Sequence, residues 1–268
     1  MACPHSIGNA GLRFFQEQFY GQSERAVPFL ILTLAGVIGL LTDSWHAFLA
    51  AVLLFWGAWQ YWSARLVIND LRLGYLQLAV PRPEIWLTFD DGPGPETLPI
   101  LEELNRNGVP ATFFFIGEQV EIYPRLEELR QALALGNHKV ANHSFTHPNF
   151  LTLDKAQTES EIRRTQEILQ REFPGLVRPL FRPPFGYRKR ETLEVAESLK
   201  LEVVGWNLNS LDFLDGSAQS LLERLEKTLR GGVIVLFHDG RSDRSRTLEA
   251  LRLWLPGLRG KGFELHLP

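Results

Sequence analysis

Cysteine is almost absent from this 268-residue chain, and neither sign of charge is in strong excess. Cys3 is the single cysteine, so the chain can form no internal disulfide framework and no zinc site of the CxxC type. The formal net charge is -3, and basic residues interleaved with aromatic residues form no cluster. We therefore expect no nucleic-acid partner.

Charge is also missing from two long hydrophobic runs near the N terminus. Residues 27–41 carry no charge, and residues 45–62 carry none unless His46 is protonated. Each run is close to the roughly 20 residues that a helix needs to cross a bilayer, although the first falls short of the usual range of about 17–25. Aromatic residues lie near the ends of the second run, as in an aromatic belt. We predict a hydrophobic helical hairpin over residues 27–65 that spans the membrane, preceded by residues 1–26, which show no recognised motif.

A hairpin packed on a soluble domain is the alternative interpretation of these runs. Two long uncharged helices leave no polar face for water, which favours the membrane. A cleaved signal peptide fits poorly, because the apolar part begins late, is doubled and has no clear cleavage site after it. Arginines flank the hairpin while its connecting turn has no lysine or arginine, so the positive-inside rule predicts that both flanks are cytoplasmic.

From residue 84 onward, short apolar runs alternate with helix-like stretches. The strand-like runs are residues 85–89, 111–116, 138–141, 180–182, 201–206, 233–237 and 263–267. Between them, apolar residues recur at helical spacing in residues 95–105, 154–172 and 217–230. This alternation predicts a parallel α/β domain over residues 84–268, and periodicity alone leaves open whether the sheet is doubly wound or closed into a barrel.

Reactive side chains lie where the predicted strands end. In parallel α/β folds, the carboxyl ends of the strands share one face, and function collects there. The side chains in question are Asp90, Asp91, His143, His147, Arg182, Asp212 and His238. Each has a plain structural explanation on its own, such as a turn, a cap or a surface loop, but their common placement favours one shared site.

Metal-assisted hydrolysis is the chemistry that this set of residues predicts. His143 and His147 can direct both imidazoles at one ion, and one carboxylate would complete an open site with three protein ligands. A bound ion lowers the pKa of water towards about 7. Because adjacent strand residues point in opposite directions, Asp90 and Asp91 can have different tasks, one binding the ion and the other accepting a proton.

The remaining polar residues complete such a site. A nearby Arg182 would keep the second acid ionised and aimed at the water. His238, on another strand, would protonate a leaving amine, and Asp212 beside it would hold the imidazolium in place.

The chain from residue 84 to its C terminus resembles the polysaccharide deacetylase family, also called the chitooligosaccharide deacetylase homology domain or carbohydrate esterase family four. Five motifs occur in the family's order, at residues 88–93 (TFDDGP), 143–147 (HSFTH), 182–186 (RPPFG), 206–213 and 236–238 (LFH). The resemblance implies hydrolysis of an N-acetyl group on an amino sugar, which gives a free amine and acetate. It also implies a distorted, incomplete (β/α)7 barrel, here preceded by the hydrophobic hairpin.

The resemblance also implies a role for each motif residue. The roles are Asp90 as general base, Asp91, His143 and His147 as metal ligands, Arg182 as the residue that orients Asp90, Phe185 as a backbone donor to the oxyanion, Phe213 as a ring lining the sugar groove, and His238 as general acid with Asp212 as its partner. The implied cofactor is one divalent ion, zinc first, with cobalt or another divalent ion as alternatives.

Two motifs depart from the family's usual pattern. Phe185 stands where a tyrosine is frequent, which leaves the backbone N–H unaffected. In the fourth motif, Asn209 replaces an acid and Phe213 replaces an indole. Phe213 still offers a stacking face but no N–H donor.

Three hypotheses for function follow. The first is a membrane-tethered, metal-dependent deacetylase of a peptidoglycan-like or chitin-like polymer. The second is a deacetylase or deformylase of a lipid-linked sugar at the cytoplasmic face. The third is an inactive sugar-binding membrane protein, against which the retained acid and base residues argue. All three place the chain at the cell membrane with a lipid bilayer as partner, while the family favours the outer side and the charge pattern the cytoplasmic side.

Other polar residues receive structural interpretations only. We expect His138 to cap or pack, residues 239–240 to form a turn, and residues 241–246 to form a charged, solvated loop. His5, His46 and His266 lie far from the motifs and receive no role. The oligomeric state is not predicted.

Overall fold

The computed structural model describes residues 84–268 except Asp215, His266 and Pro268, together with the isolated helical positions Leu49, Val52, Leu53 and Trp56. The predicted N-terminal segment, residues 1–26, and nearly all of the predicted hairpin, residues 27–65, lie outside the described residues. Among the described residues, no helix combines the length and the apolar character needed to span a bilayer.

Within the described part of the chain, eight strands form one sheet in which every pairing is parallel. The strands are β1 (Glu84–Gly92), β2 (Thr112–Phe115), β3 (Lys139–Asn142), β4 (Val177–Phe181), β5 (Glu202–Val203), β6 (Leu208–Asn209), β7 (Val233–His238) and β8 (Glu264–Leu265). Their order is β5-β4-β3-β2-β1-β7-β6, and β8 pairs with the start of β1. The sheet curls without closing, as expected for an incomplete (β/α)7 barrel.

Seven α-helices connect the strands in the described residues. They are α1 (Thr97–Asn107), α2 (Gly117–Ile122), α3 (Leu126–Leu135), α4 (Lys155–Glu172), α5 (Arg190–Ser198), α6 (Ala218–Thr228) and α7 (Ser245–Leu258). The predicted helices correspond to α1, α4 and α6. Asp154 caps α4 by accepting the Gln157 N–H, which confirms the predicted start of that helix.

The strands bury both of their faces, as parallel strands covered by helices do. On the face that contacts the helices, Phe89 of β1 stacks between Phe113 and Phe237, with ring centroids 4.9 and 5.4 Å away. On the other face, a smaller apolar cluster fills the curl of the sheet, formed by Trp86, Phe114, Ala141, Leu180, Val204 and Ile234. Because side chains alternate along a strand, the series that begins at Trp86 continues through Thr88 to Asp90 at the carboxyl end of β1.

Candidate active site

A buried arginine fixes the first acid of the pair. Arg182 is fully buried, and its Nη1 donates to Asp90 Oδ1 at 2.7 Å and to Thr88 Oγ1 at 2.8 Å. Its Nε and Nη2 donate to the carbonyl oxygens of Val204 and Gly205, at 3.3 and 2.6 Å. The guanidinium therefore has a single arrangement, and the Asp90 carboxylate has a charged partner with one oxygen held in place.

The second acid and two histidines converge on one point. The Nε2 atoms of His147 and His143 lie 3.0 and 3.4 Å from Asp91 Oδ1. One ligand atom from each of the three residues lies within 4.8 Å of the others, and all three residues are buried. Two imidazole nitrogens and one carboxylate oxygen form a donor set that suits a divalent ion with an open position.

Asp90 and Asp91 do not point in opposite directions, as adjacent strand residues were expected to do. His143 Nε2 lies 3.8 Å from Asp90 Oδ2 as well as 3.4 Å from Asp91 Oδ1. The reason is the backbone of Asp91, which has φ of 75° in the left-handed region and ends the strand alternation. Both carboxylates therefore face the same small volume.

The two histidines converge through a loop and not through a helix. Ser144 and His147 have φ of 68° and 61°, which folds the segment back so that the imidazole centroids lie 5.1 Å apart. His143 Nδ1 lies 2.7 Å from the carbonyl oxygen of Arg182. Because only a protonated Nδ1 can donate there, the neutral ring presents Nε2 as the lone pair for an ion.

The surroundings of Asp91 and His147 shift their pKa values towards the forms that bind a metal. Burial would raise the pKa of Asp91, but its contacts with the imidazoles of His143 and His147 outweigh burial and hold the pKa well below its usual value. Burial lowers the pKa of His147, which the contact with Asp91 opposes only in part. An ionised carboxylate and a neutral imidazole are the forms that bind a metal.

A second acid–histidine pair lies at the end of β7. His238 Nδ1 donates to Asp212 Oδ1 at 2.7 Å, and Asp212 Oδ2 accepts the His238 backbone N–H at 2.8 Å and the Thr247 hydroxyl at 2.9 Å. Burial would lower the pKa of His238, but the bond to Asp212 and the nearby negative charges outweigh burial and raise it. Burial would raise the pKa of Asp212, but its bonds with His238 and Thr247 lower it.

Two exposed phenyl rings flank the cluster. Phe185 has φ of 58° and lies in a 3₁₀ turn, Pro184–Gly186, that begins two residues after Arg182. Its ring is 55% exposed and meets the His147 ring edge-on at 4.6 Å. Phe213 is 51% exposed, and its ring meets that of His238 at 5.7 Å. The two rings stand on the metal-ligand side and the acid side of the cluster.

The expectation of a simple turn at residues 239–240 misses a buried acid. Asp239 is fully buried, and its Oδ2 accepts the Thr97 hydroxyl at 2.6 Å. Burial, together with the charges of Asp91 and Asp90, raises the pKa of Asp239 to about 8. This carboxyl group ties the end of β7 to the start of α1.

The prediction of a charged, solvated loop at residues 241–246 holds for the exposed residues 241–243 and 245 but not for Arg244. Arg244 is buried, donates through Nε to the Gly240 carbonyl oxygen at 3.1 Å and places Nη2 3.8 Å from Asp91 Oδ2. Arg241 contacts His147 Nδ1, and Arg246 donates to the carbonyl oxygen of Asp212. Proximity to His238 in the sequence was the one signal that could have indicated these contacts.

His138 packs as expected and takes no part in the cluster. Its Nδ1 accepts the Ala111 N–H at 3.0 Å, and its Nε2 lies 3.1 Å from Asn105 Oδ1. Burial lowers the pKa of His138 to about 4, so the ring is neutral. His5, His46 and His266 lie outside the described residues.

Known proteins resemble this chain in both sequence and structure. A family profile described as polysaccharide deacetylase matches residues 78–204. A chitooligosaccharide deacetylase of Bradyrhizobium sp. (strain ANU 289) is 32% identical over 194 residues, which cover 68% of this chain and 87% of the relative.

Two solved structures support the same similarity. A peptidoglycan N-acetylglucosamine deacetylase in complex with 4-naphthalen-1-yl-N-oxidanyl-benzamide superposes with a TM-score of 0.64 at 28% identity, over 69% of this chain and 86% of that one. A family 4 carbohydrate esterase from Streptomyces lividans in complex with acetate superposes with a TM-score of 0.61 at 33% identity, over 69% and 92% of the two chains.

Proposed function

Because the chain belongs to the polysaccharide deacetylase family and is a hydrolase of N-acetyl amide bonds, we propose that it deacetylates amino sugars of a polysaccharide or oligosaccharide by metal-assisted hydrolysis. The observation that carries this proposal is the convergence of Asp91, His143 and His147 within 4.8 Å, beside a buried Arg182–Asp90 pair. Binding of a sugar alone would require neither of these arrangements.

The donor set of the cluster fits a divalent ion. Asp91 Oδ1 and the Nε2 atoms of His143 and His147 would hold it, and zinc suits two imidazoles and one carboxylate, although cobalt and other divalent ions have similar preferences. A bound ion would polarise the acyl carbonyl and make water acidic enough to lose a proton near neutral pH.

Asp90 and His238 would move the protons of the reaction. Asp90 Oδ2, the oxygen that Arg182 does not hold, would accept a proton from the water that attacks the acyl carbon. As the C–N bond breaks, His238 Nε2 would give its proton to the departing amine, while Nδ1 keeps its bond to Asp212. The products are acetate and a free amine. Asp90 Oδ2 takes one proton and His238 Nε2 gives one, so the proton count of the protein is unchanged after the reaction.

The Phe185 backbone N–H would support the developing oxyanion, and the two phenyl rings would border the sugar. Phe185 and Phe213 present flat apolar faces on either side of the cluster, as stacking on a sugar ring requires. Neither ring carries a hydrogen-bond donor, so orientation of the sugar would come from stacking and from backbone groups.

Acetate release tests this function. The full chain, purified in detergent, would be incubated with N-acetylglucosamine oligomers, and we expect acetate release that a chelator abolishes and added zinc restores. Release of acetate or formate from detergent-solubilised lipid-linked sugars alone would instead support the lipid-linked substrate. A protein that binds the oligomers, holds no divalent ion and releases neither acid would support the inactive sugar-binding protein.

The proposal includes attachment to the cell membrane through residues 27–65. Its support is the two uncharged runs of the sequence, which are too apolar to face water. The two candidate substrates occur on different sides of the membrane, so the side on which the active site lies also distinguishes between them.

A further inference from the structure

The loop that carries both histidines rests on a glutamate of α4 that no motif includes. Glu161 Oε2 accepts the backbone N–H groups of Phe145 and Thr146, each at 2.8 Å. Glu161 Oε1 accepts the Thr146 hydroxyl at 2.9 Å. One carboxylate therefore satisfies three donors of the loop between His143 and His147, and charge-assisted bonds of this kind are the stronger class.

The opposite side of the same loop is held by the start of α2. The N–H groups of Gly117 and Glu118 donate to the carbonyl oxygens of Ser144 and Phe145, each at 3.0 Å. A side chain at Gly117 would lie 2.7 Å from Thr165 Oγ1, so the glycine lets α2 approach the loop and α4 closely. The loop is thus clamped by donors on one side and by the Glu161 acceptor on the other.

Bonds within and beside the loop fix its turn. Asn142 Oδ1 accepts the Ser144 N–H at 2.9 Å, and its Nδ2 donates to the Ile162 carbonyl oxygen at 2.8 Å. Ser144 Oγ accepts the His147 N–H at 3.2 Å. The left-handed backbone of Ser144 and His147 is costly for residues with a side chain, so it needs outside contacts to persist.

We propose that Glu161 is a positioning residue for the metal centre: it holds the loop in the conformation that brings His143 and His147 onto one ion. This rests on the proposed function only in requiring that the cluster binds a metal. Without the three acceptor bonds, the loop would have to order itself upon binding, and the free energy of that ordering would be subtracted from the affinity.

Metal affinity is the first measurement. In the full chain, we expect Glu161→Gln to weaken zinc binding by about 10- to 100-fold, the range found when groups that orient metal ligands from outside the coordination sphere are lost. Gln keeps the length of the side chain but loses its charge, and turns an amide donor toward the loop. Zinc competition with a chromogenic chelator gives the affinity, and the visible spectrum of the cobalt-loaded protein reports ligand geometry, which we expect to change.

Glu159→Gln is the matched control on the same helix. Glu159 pairs with Arg163 at 2.6 Å on the surface and has no contact with the histidine loop among those described, so its zinc affinity should stay within about twofold of the native value. Equal zinc affinity and an unchanged cobalt spectrum in Glu161→Gln would overturn the proposal.

A milder variant covers the case in which Glu161→Gln does not fold. Thr146→Val removes only the hydroxyl donor and keeps the branched shape, so it should weaken zinc binding several-fold with little change in thermal midpoint. Unchanged zinc affinity in Thr146→Val together with a lower midpoint would assign the contact to fold stability and refute the positioning role. Native protein that binds zinc without releasing acetate would contradict the deacetylase proposal while leaving the Glu161 test intact.

Discussion

At the scale of single residues, two neighbouring carboxylates differ in what holds them. Asp90 is fixed by Arg182, whose Nε and Nη2 bond to carbonyl oxygens and whose Nη1 also bonds to the Thr88 hydroxyl, so this acid cannot turn away. Asp91 contacts two imidazoles, and their effect on its pKa outweighs the effect of burial. The same residue type can therefore supply a base at one position and a ligand at the next, because the surroundings differ.

Asp90→Asn should abolish acetate release while preserving metal binding. The amide retains the acceptor oxygen for Arg182 but cannot take a proton, and loss of a general base costs about 100- to 10,000-fold in rate. Zinc affinity, measured by chelator competition, should change little because the ligands are untouched. An unchanged rate in this variant would show that the base has been misassigned.

Asp212→Asn should move the alkaline limb of the pH–rate profile to lower pH. Burial lowers the pKa of His238, and the bond to Asp212 is the main contribution that raises it, so removal of the charge lets burial prevail. His238 would then lose its proton at lower pH, and the acid form needed for the leaving amine would be depleted earlier. A profile of kcat/KM against pH that coincides with the native profile would contradict the role of His238 as acid.

At the scale of elements, the site depends on close passage between the β1–α1 turn and the end of β7. An ideal Cβ at Gly92 would lie 2.2 Å from Asp239 Oδ2, and one at Gly240 would lie 2.1 Å from the Asp91 carbonyl oxygen. Glycine at both positions lets two backbones touch where the acids and His238 must meet. The Thr97 hydroxyl completes this junction by donating to Asp239.

Gly240→Ala should therefore displace Asp91 and destabilise the fold. The added methyl group meets backbone atoms that cannot rotate away, and overpacking of this kind costs about 1–3 kcal/mol. We expect a lower free energy of unfolding by chemical denaturation and weaker zinc binding in the same variant.

Gly257→Ala in α7 is the control for this substitution. An ideal Cβ at Gly257 has no atom within 4 Å, so alanine should leave zinc affinity unchanged and stabilise the helix by up to about 1 kcal/mol. If both glycine variants behaved alike, close passage at Gly240 would not be what shapes the site.

Apolar runs predicted most of the sheet, because strands buried on both faces are nearly continuous in hydrophobic residues. The strand β6 has two residues and gives no such run, and α3 buries only Leu129 and Leu133, too weak a stripe to identify.

The candidate site residues could be identified from the sequence by their motifs. The left-handed backbone of Asp91 and His147 and the burial of Asp239 and Arg244 depend on tertiary contacts that residue type does not encode.

At the scale of the whole molecule, the family resemblance and the described fold account for the chain from residue 84 onward. The relatives cover 67 to 72% of the chain, and the uncharged N-terminal runs are the main feature that the family fold does not explain. If residues 27–65 attach the enzyme to a bilayer, the side on which the active site lies decides which amino sugars it can reach.

The full chain should partition with membranes and require detergent for release. Two uncharged runs of 15 and 18 residues favour insertion into the bilayer, whereas electrostatic attachment would be reversed by high salt. Sedimentation of the full chain and of a variant lacking residues 27–62, in buffers of low and high salt, gives the comparison. Recovery of the full chain in the soluble fraction without detergent would refute membrane insertion.

Reporter fusions after residue 70 would then settle the side. The arginine distribution predicts cytoplasmic flanks, so a phosphatase fusion should be inactive and a cytoplasmic fluorescent reporter bright. An active phosphatase would place the catalytic residues outside, where a cell-wall polymer is the accessible substrate.

The strand β1 has a mechanical consequence. It bonds laterally to β2 on one side and to β7 on the other, meets β8 at its first residues, and carries Asp90 and Asp91 at its far end. Tension on the polypeptide ahead of Glu84, opposed by a force at the carboxyl end of the sheet, would load this central strand along its length, so that both ladders would resist in shear. A molecule pulled from the N-terminal side of Glu84 would keep its fold until these ladders broke, and it would then lose its activity in one step.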